Sequence, residues 1–192
     1  MLSDYLRRLS QPVLRTVSAW LARTGITPNA LSLLGFALNL GVAIVLATGH
    51  LRWGGVLIIL VSLFDGLDGA LARYTGKVSK FGAFLDSTLD RYSEAALFIG
   101  LIWHFLGLHA NAEVLLACVA LFGSEAVSYT RARAEGLSID CKVGWFTRAE
   151  RMIVLALGLA LGFPLITFWV LAIFTNITAL QRIWHVRRQA AG

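Results

Sequence analysis

The chain has 192 residues, of which 57% are hydrophobic, and its mean hydropathy is +0.71. This composition excludes an ordinary soluble protein and is typical of a polytopic membrane protein, here a single domain over residues 1–192. The formal net charge of +6 indicates a basic membrane face in so apolar a chain, and we expect no nucleic-acid partner.

The N-terminal residues 1–25 predict an amphipathic helix on the membrane surface. Apolar residues recur at helical spacing from Leu2 to Leu21, and arginines such as Arg7 and Arg8 lie between them. A helix of this kind lies in the plane of the interface with its apolar face in the lipid. The alternative is a soluble amphipathic extension that packs on another domain.

The remaining residues, 26–188, predict a bundle of six transmembrane helices. The apolar segments cover residues 30–49, 53–74, 81–106, 112–132, 148–161 and 165–184. Thr27 and Pro28 suit the N-cap and the first helical position of the first span. Gly162-Phe163-Pro164 separates the last two spans, because the run from Met152 to Leu180 would be about 43 Å long, against about 30 Å of hydrocarbon. The fold class is therefore an all-α integral membrane protein.

The basic residues predict the orientation in the membrane. Of the 17 Lys and Arg residues, Arg52 falls in a loop on one side and Arg91 within the third span; the other 15 belong to the opposite face. Cytoplasmic segments carry the excess of Lys and Arg, so this face is assigned to the cytoplasm. We therefore expect a cell-membrane protein with both termini in the cytoplasm.

Two pairs of aspartates lie on the second and third spans. Asp65 and Asp68 are spaced i,i+3 and Asp86 and Asp90 i,i+4, so each pair shares one face of its helix. A carboxylate inside a membrane costs about 2.5–3.5 kcal/mol on insertion scales. Hard divalent cations such as Mg²⁺ are the compensating partners that clustered carboxylates favour. The pairs are expected to face each other across a hairpin, in a cavity open to the cytoplasm and to lipid.

The same stretch resembles the signature of the CDP-alcohol phosphotransferase family, D-x-x-D-G-x-x-A-R-x8-G-x3-D-x3-D. Its fixed positions are occupied by Asp65, Asp68, Gly69, Ala72, Arg73, Gly82, Asp86 and Asp90. The resemblance implies an enzyme that displaces CMP from a CDP-linked lipid, such as CDP-diacylglycerol, with an alcohol. It implies that the four aspartates hold two divalent metal ions, Mg²⁺ with Mn²⁺ as a substitute, and that Asp90 deprotonates the alcohol. It also implies a homodimer and an active site on the cytoplasmic side.

The resemblance further implies a binding site for the CDP-lipid. The matching positions are Asn29, Ala30, Leu31, Ser32, Gly69, Arg73 and Ser79. A glycine at position 69 permits close approach of a nucleotide, and the Arg73 guanidinium can pair with phosphate.

Arginines near the cytoplasmic ends of the fourth and fifth spans predict a site for a phosphorylated acceptor. They are Arg131, Arg133, Arg148 and Arg151. Thr147 and Glu150 form a capping-box pattern at the start of the fifth span, where free amides also favour an anion. Both segments are similar to those of phosphatidylinositol-phosphate synthases, with Ala149 in place of a proline. The alternative is that these arginines only anchor the topology.

Three functions stay open on the sequence. The resemblance favours a phosphorylated polyol as acceptor, most of all inositol phosphate, and the nearest alternative is glycerol 3-phosphate, which would yield phosphatidylglycerophosphate. The aspartates by themselves would also suit a cation- or proton-coupled transporter. The lipid tails of the donor are not determined, so CDP-archaeol also stays open.

Arg91 follows Asp90 directly within the third span. A buried arginine needs a carboxylate partner, and Glu94 and Glu125 are the candidates. The sequence leaves open whether such a pair is structural or catalytic.

Overall fold

The computed structural model describes Leu14 and residues 16–190. Every regular element in this part of the chain is an α-helix, beginning with α1 over residues 16–24. Six longer helices follow: α2 (Pro28–Ala47), α3 (Leu51–Thr75), α4 (Lys80–Gly107), α5 (Asn111–Glu135), α6 (Arg148–Leu161) and α7 (Pro164–Ala190). The protein is therefore all-helical over the described residues, as expected.

Four of these helices, α2, α3, α5 and α7, are long and apolar enough to cross a membrane. Helix α4 has 28 residues but carries several charged residues, including Asp86, Asp90 and Glu94. Helix α6 has 14 residues, about 21 Å at 1.5 Å per residue. That α4 and α6 also cross the membrane stays a prediction.

Local signals at the helix ends act as the sequence predicts. Thr27 is the N-cap of α2, with Pro28 in its first turn, and the Ala30 amide donates a hydrogen bond to Thr27 Oγ1 at 3.2 Å. Gly162 ends α6 in the left-handed region with φ of 83°, and Pro164 begins α7. The break between the last two predicted spans is thus confirmed.

The six long helices pack as a closed ring in the order α2, α3, α6, α7, α5, α4, with α4 returning to α2. Large side chains fill its interior: Leu46, Leu97, Phe98, Leu101, Leu155, Leu159, Phe168 and Leu171. Small residues let neighbouring backbones come close. At Gly55 of α3, for example, a Cβ would lie 2.5 Å from the backbone oxygen of Ala156 in α6. This close packing brings the start of α6 beside the end of α3.

Helix α1 lies against α2 and α3. Leu21 of α1, Leu31 of α2 and Leu71 of α3 form a small buried cluster, and Ser18 is also buried. The described end of the predicted surface helix therefore packs one of its faces against α2 and α3. The rest of that prediction falls on residues outside the described chain.

Candidate active site

The four aspartates line one pocket, formed by the last turns of α3 and the first turns of α4 and closed by α2. Its walls include Leu31, Ser32, Asp65, Asp68, Asp86 and Asp90. The expected juxtaposition of the two pairs is therefore present in the fold. It follows from the packing of both α3 and α4 against α2, together with the short connection between them, which puts the end of α3 and the start of α4 at the same end of the bundle.

Helix α2 holds the first aspartate pair from one side. The Ser32 hydroxyl donates a hydrogen bond to Asp68 Oδ2, and Asp68 is buried. One turn further along, a Cβ at Gly35 would lie 2.9 Å from Asp65 Oδ1. Asp65 therefore rests directly on the backbone of α2, where a larger residue would displace its carboxylate.

Arg148, the first residue of α6, connects the two aspartate pairs. Its Nη2 lies 3.1 Å from Asp65 Oδ2 and 2.8 Å from Asp90 Oδ1. Arg91 Nη2 is 3.9 Å from the other oxygen of Asp90. The guanidinium of Arg148 from α6 thus lies between a carboxylate of α3 and a carboxylate of α4. The sequence does not predict these contacts between Arg148 and the aspartates.

Arg151 lies one turn further into the bundle and has a different partner. Its Nε and Nη2 donate to Oε1 and Oε2 of Glu94 at 2.8 and 2.7 Å. Both side chains are almost completely buried, with 2% and 1% of their surfaces exposed. Glu94 is therefore the partner of Arg151 and not of Arg91, so of the two candidate partners of Arg91 only Glu125 stays a prediction.

The two arginines at the end of α5 are exposed. Arg131 Nε lies 2.8 Å from Glu135 Oε1, one turn along the same helix, and Arg133 is exposed in the last turn. Among the ion pairs of the described residues, Arg148 is the one of the four predicted acceptor arginines that reaches the aspartates.

The residues predicted to bind the CDP-lipid lie around the same pocket. Ser79 is the N-cap of α4, accepting a hydrogen bond from the Gly82 amide at 2.9 Å. A Cβ at Gly82 would lie 3.0 Å from Ser79 Oγ and 3.2 Å from Asn29 Oδ1. The starts of α2 and α4 therefore adjoin. Arg73 folds back along α3, since its Nη1 would lie 3.3 Å from a Cβ at Gly69.

A set of contacts from α7, which sequence reasoning missed, holds the loop before α6. Buried Arg182 donates to the backbone oxygens of Val143, at 3.0 Å, and of Val127. The Phe146 amide donates to Thr178 Oγ1 at 3.2 Å. In the sequence Arg182 is one of the 15 basic residues of the predicted cytoplasmic face, and nothing local points to its carbonyl partners.

This loop leads directly into the first turn of α6. Thr147 and Glu150 form the predicted capping box there, in which the Thr147 amide donates to Glu150 Oε2 at 3.1 Å. The anchored loop and the capped start of α6 together fix the position of the Arg148 backbone.

The donor set of the aspartate pocket suits a hard divalent cation, because it consists of carboxylates and hydroxyls. Within residues 16–190, however, no group of three or more His, Cys, Asp or Glu side chains already stands close enough to hold an ion. The Arg148 contacts give the reason, since they draw Asp65 and Asp90 onto the guanidinium. The side chains are therefore of the type that binds a divalent cation. To hold one, the carboxylates of Asp65 and Asp90 would have to turn away from Arg148.

This fold and pocket define a class: a multi-pass, all-helical membrane protein with a carboxylate-lined site at one end of its helix bundle. Residues 25–181 match the family model of the CDP-alcohol phosphatidyltransferases. The chain belongs to this family of enzymes. A transporter is therefore no longer a candidate.

Two curated relatives have a similar length to this chain. It is 38% identical to a phosphatidylinositol phosphate synthase of Mycobacteroides abscessus over 176 residues, which cover 87% of this chain and 80% of that protein. It is 37% identical to an archaetidylinositol phosphate synthase of Pyrococcus horikoshii over 190 residues, 98% of both chains.

Two crystal structures of the phosphatidylinositol phosphate synthase of Mycobacterium tuberculosis have a similar fold. The one with CDP-DAG bound is 33% identical, with a TM-score of 0.84 over 91% of this chain and 94% of that chain. The one in complex with manganese and citrate is 32% identical, with a TM-score of 0.84 over 90% of this chain and 88% of that one.

Proposed function

We propose that the protein transfers the phosphatidyl group of CDP-diacylglycerol to inositol phosphate, forming phosphatidylinositol phosphate and CMP. The observation that carries the proposal is the pocket in which two aspartate pairs meet the guanidinium of Arg148. The relatives named as phosphatidylinositol phosphate synthases support this acceptor. In the reaction, a hydroxyl oxygen of the acceptor bonds to the lipid-bearing phosphorus, the bond from that phosphorus to the bridging oxygen breaks, and CMP leaves.

The proposed metal ligands are Asp65, Asp68, Asp86 and Asp90. Two Mg²⁺ ions, or Mn²⁺ in their place, would neutralise the diphosphate and polarise its phosphorus when bound. The manganese complex of the similar synthase supports a divalent ion in this family. Asp90 is also the proposed base, which takes the proton of the attacking hydroxyl.

The nucleotide end of the donor is assigned to the surface where α2, α3 and α4 begin or end. The proposed binding residues are Asn29, Ala30, Leu31, Ser32, Gly69, Arg73 and Ser79. The closeness of Asn29 and Ser79 across Gly82 supports this grouping, as does the position of Leu31 and Ser32 in the aspartate pocket. The exposed guanidinium of Arg73 is free to turn towards a phosphate.

The phosphate of the acceptor is assigned to the arginines at the ends of α5 and α6. Arg148 is the central one, because its present partners, Asp65 and Asp90, are the carboxylates that would turn to hold metal. Arg131 and Arg133 extend the positive charge outwards from the pocket. Arg151 contributes through its buried pair with Glu94, which fixes the first turn of α6.

The placement in the membrane is part of the proposal. We infer six spans, α2 to α7, an N-terminal surface helix over residues 1–25, and both termini and the active site on the cytoplasmic side. The charge asymmetry supports this orientation. A homodimer of single-domain chains is also inferred.

The proposed acceptor is tested with purified protein, CDP-diacylglycerol and a panel of alcohols. CMP release should be supported by inositol phosphate and not by unphosphorylated inositol, because the phosphate supplies the contacts to arginine. Equal rates of CMP release with free inositol would contradict the assignment of a phosphate site for the acceptor. Faster reaction with glycerol 3-phosphate would leave the phosphate site standing and show that the protein makes phosphatidylglycerophosphate.

The role of Arg148 is tested in the same assay. A charge-assisted contact to phosphate contributes about 1.5–3 kcal/mol, so Arg148→Ala should raise KM for the acceptor roughly tenfold or more. Arg73→Ala is the comparison, since it should raise KM for the CDP-lipid instead. An unchanged acceptor KM in Arg148→Ala would contradict the assignment.

The metal requirement is tested with a chelator. Excess EDTA should abolish CMP release, and Mg²⁺ or Mn²⁺ should restore it, because four carboxylates in one apolar pocket need cations to stay ionised together. Undiminished CMP release in EDTA would contradict the metal site without bearing on the choice of acceptor.

A further inference from the structure

A groove outside the aspartate pocket lies between α7 and the loop that precedes α6. We call it the interfacial groove; its volume is about 560 Å³. On the loop side it is lined by Trp145, and on the helix side by Ile177, Leu180, Gln181, Trp184 and Arg188. Nothing in the proposed transfer reaction uses it.

The helix side of the groove is one continuous stripe. Ile177, Leu180, Trp184 and Arg188 follow at intervals of three or four, so they lie above one another on a single face, with Gln181 next to Leu180. From Ile177 to Arg188 the stripe spans about 16 Å at 1.5 Å per residue. It changes from aliphatic at Ile177 and Leu180 to aromatic at Trp184 and cationic at Arg188, which is the polarity order from hydrocarbon to headgroup.

Its position along α7 matches that order. Trp184 is 20 residues beyond Pro164, the start of α7, or about 30 Å along the axis, which is the thickness of the hydrocarbon region. Trp145 and Trp184 are exposed, and exposed tryptophans at this depth are typical of the membrane–water interface. The lower groove therefore faces acyl chains and its upper end faces headgroups.

The upper end of the groove carries unpaired positive charge. The guanidinium carbons of Arg187 and Arg188 lie 5.5 and 5.4 Å from the centre of the Trp184 ring. Neither arginine has a carboxylate partner among the described residues. Stacking on Trp184 holds both charges at this end of α7, and Arg188, which lines the groove, is the one that an anion in the groove would contact.

We propose that the interfacial groove binds an anionic phospholipid of the surrounding leaflet, with its phosphate on Arg188 and one acyl chain along Leu180 and Ile177. Basic pockets between helices at the cytoplasmic surface recognise anionic lipids in this way. The bound lipid braces the loop that Arg182 and Thr178 hold from the other side, and this loop leads into Arg148.

The test uses full-length protein in detergent, with phosphatidylglycerol and phosphatidylcholine of identical acyl chains. Bound lipid is counted by native mass spectrometry, and melting is followed at increasing lipid. Phosphatidylglycerol should bind in preference and raise the melting temperature. Arg188→Gln should weaken its binding about fivefold, as expected for one cation close to an anionic lipid. Leu180→Trp, which fills the groove, should lower binding without changing the charge.

Arg187→Gln is the matched control, because it removes the same charge from the same helix turn at a residue that does not line the groove. Its loss of phosphatidylglycerol binding should be clearly smaller. Both arginines are exposed, so each variant should melt like the wild type without added lipid. The proposal is overturned if the two lipids bind equally, or if the two arginine variants lose binding equally. It is also overturned if Leu180→Cys crosslinks to itself, since a second copy would then occupy the groove.

Discussion

Glu94 of α4 and Arg151 of α6 form a bidentate ion pair inside the helix bundle, 57 residues apart in the chain. The two N–O distances are 2.8 and 2.7 Å, and the pair is shielded from solvent and lipid. A charge of this kind is stable in a low-dielectric interior only while its partner is present. The pair therefore fixes α6 against α4 directly behind Arg148.

The first prediction concerns this pair. Arg151→Met leaves the Glu94 carboxylate buried without a counter-charge, so the free energy of unfolding should fall by about 3–5 kcal/mol. The double variant with Glu94→Leu should recover most of that loss, because it removes both charges. Unfolding in mixed micelles measures both. If Arg151→Met is as stable as the wild type but raises the acceptor KM tenfold, Arg151 binds the acceptor and does not act through Glu94.

The second prediction concerns the contact between Gly35 and Asp65. Gly35→Ala places a methyl group 2.9 Å from the position of Asp65 Oδ1, so the carboxylate must move. We expect kcat/KM to fall roughly tenfold to a hundredfold, as for other small displacements in an active site, and the Mg²⁺ concentration for half-maximal activity to rise. Measuring CMP release against Mg²⁺ concentration tests both effects.

Gly41 supplies the control for that variant on the same helix. A Cβ at Gly41 meets nothing within 4 Å, so Gly41→Ala should keep full activity and gain up to about 1 kcal/mol of helix propensity. Equal activity of the two alanine variants would show that Asp65 does not depend on the backbone of α2.

Features that depend on neighbouring residues could be predicted from the sequence. Thr27 and Pro28 start α2, Gly162 ends α6, and Thr147 with Glu150 caps α6, because each acts within one helical turn. That both aspartate pairs lie at the same end of the bundle follows in the same way, from helical spacing and a short connection, whereas their shared pocket depends on the packing of α3 and α4 against α2. These local rules were sufficient for the outline of the site.

Features that depend on the order of helices in the ring could not be predicted. Arg148 contacts Asp65 because α6 packs against α3, 83 residues earlier in the chain. The sequence offers Glu94 and Glu125 as partners of the nearby Arg91, but α6 presents Arg151 to Glu94. A charge in a sequence shows that a partner is needed, and only the packing of distant helices decides which partner it has.

The third prediction concerns the orientation of the bundle. In a Cys118→Ser background, His109→Cys should react with an impermeant maleimide in intact cells, since α4 is expected to carry the chain to the outside. Lys77→Cys, between α3 and α4, should react only after lysis. Reaction of both positions on the same side would show that α4 does not cross the membrane.

The last prediction concerns Arg182, whose guanidinium holds the loop before α6 through the backbone oxygens of Val143 and Val127. Cys141 in the same loop is completely buried, and this burial raises the pKa of its thiol. The thiol should therefore resist labelling as long as the loop stays in place, because the reactive species is the thiolate.

Removal of the Arg182 guanidinium should release the loop. Arg182→Met removes the donor to the backbone oxygen of Val143 in the loop, at a cost of about 1–3 kcal/mol, and the least costly response is for the loop to open to water. In a Cys118→Ser background we therefore expect maleimide to label Cys141 much faster in Arg182→Met than in the parent. We also expect the KM for the acceptor to rise, because the backbone of Arg148 is no longer held in place. Arg187→Met, on the exposed side of the same helix, is the control and should change neither. Rapid labelling with an unchanged acceptor KM would show that the loop and the position of Arg148 are independent.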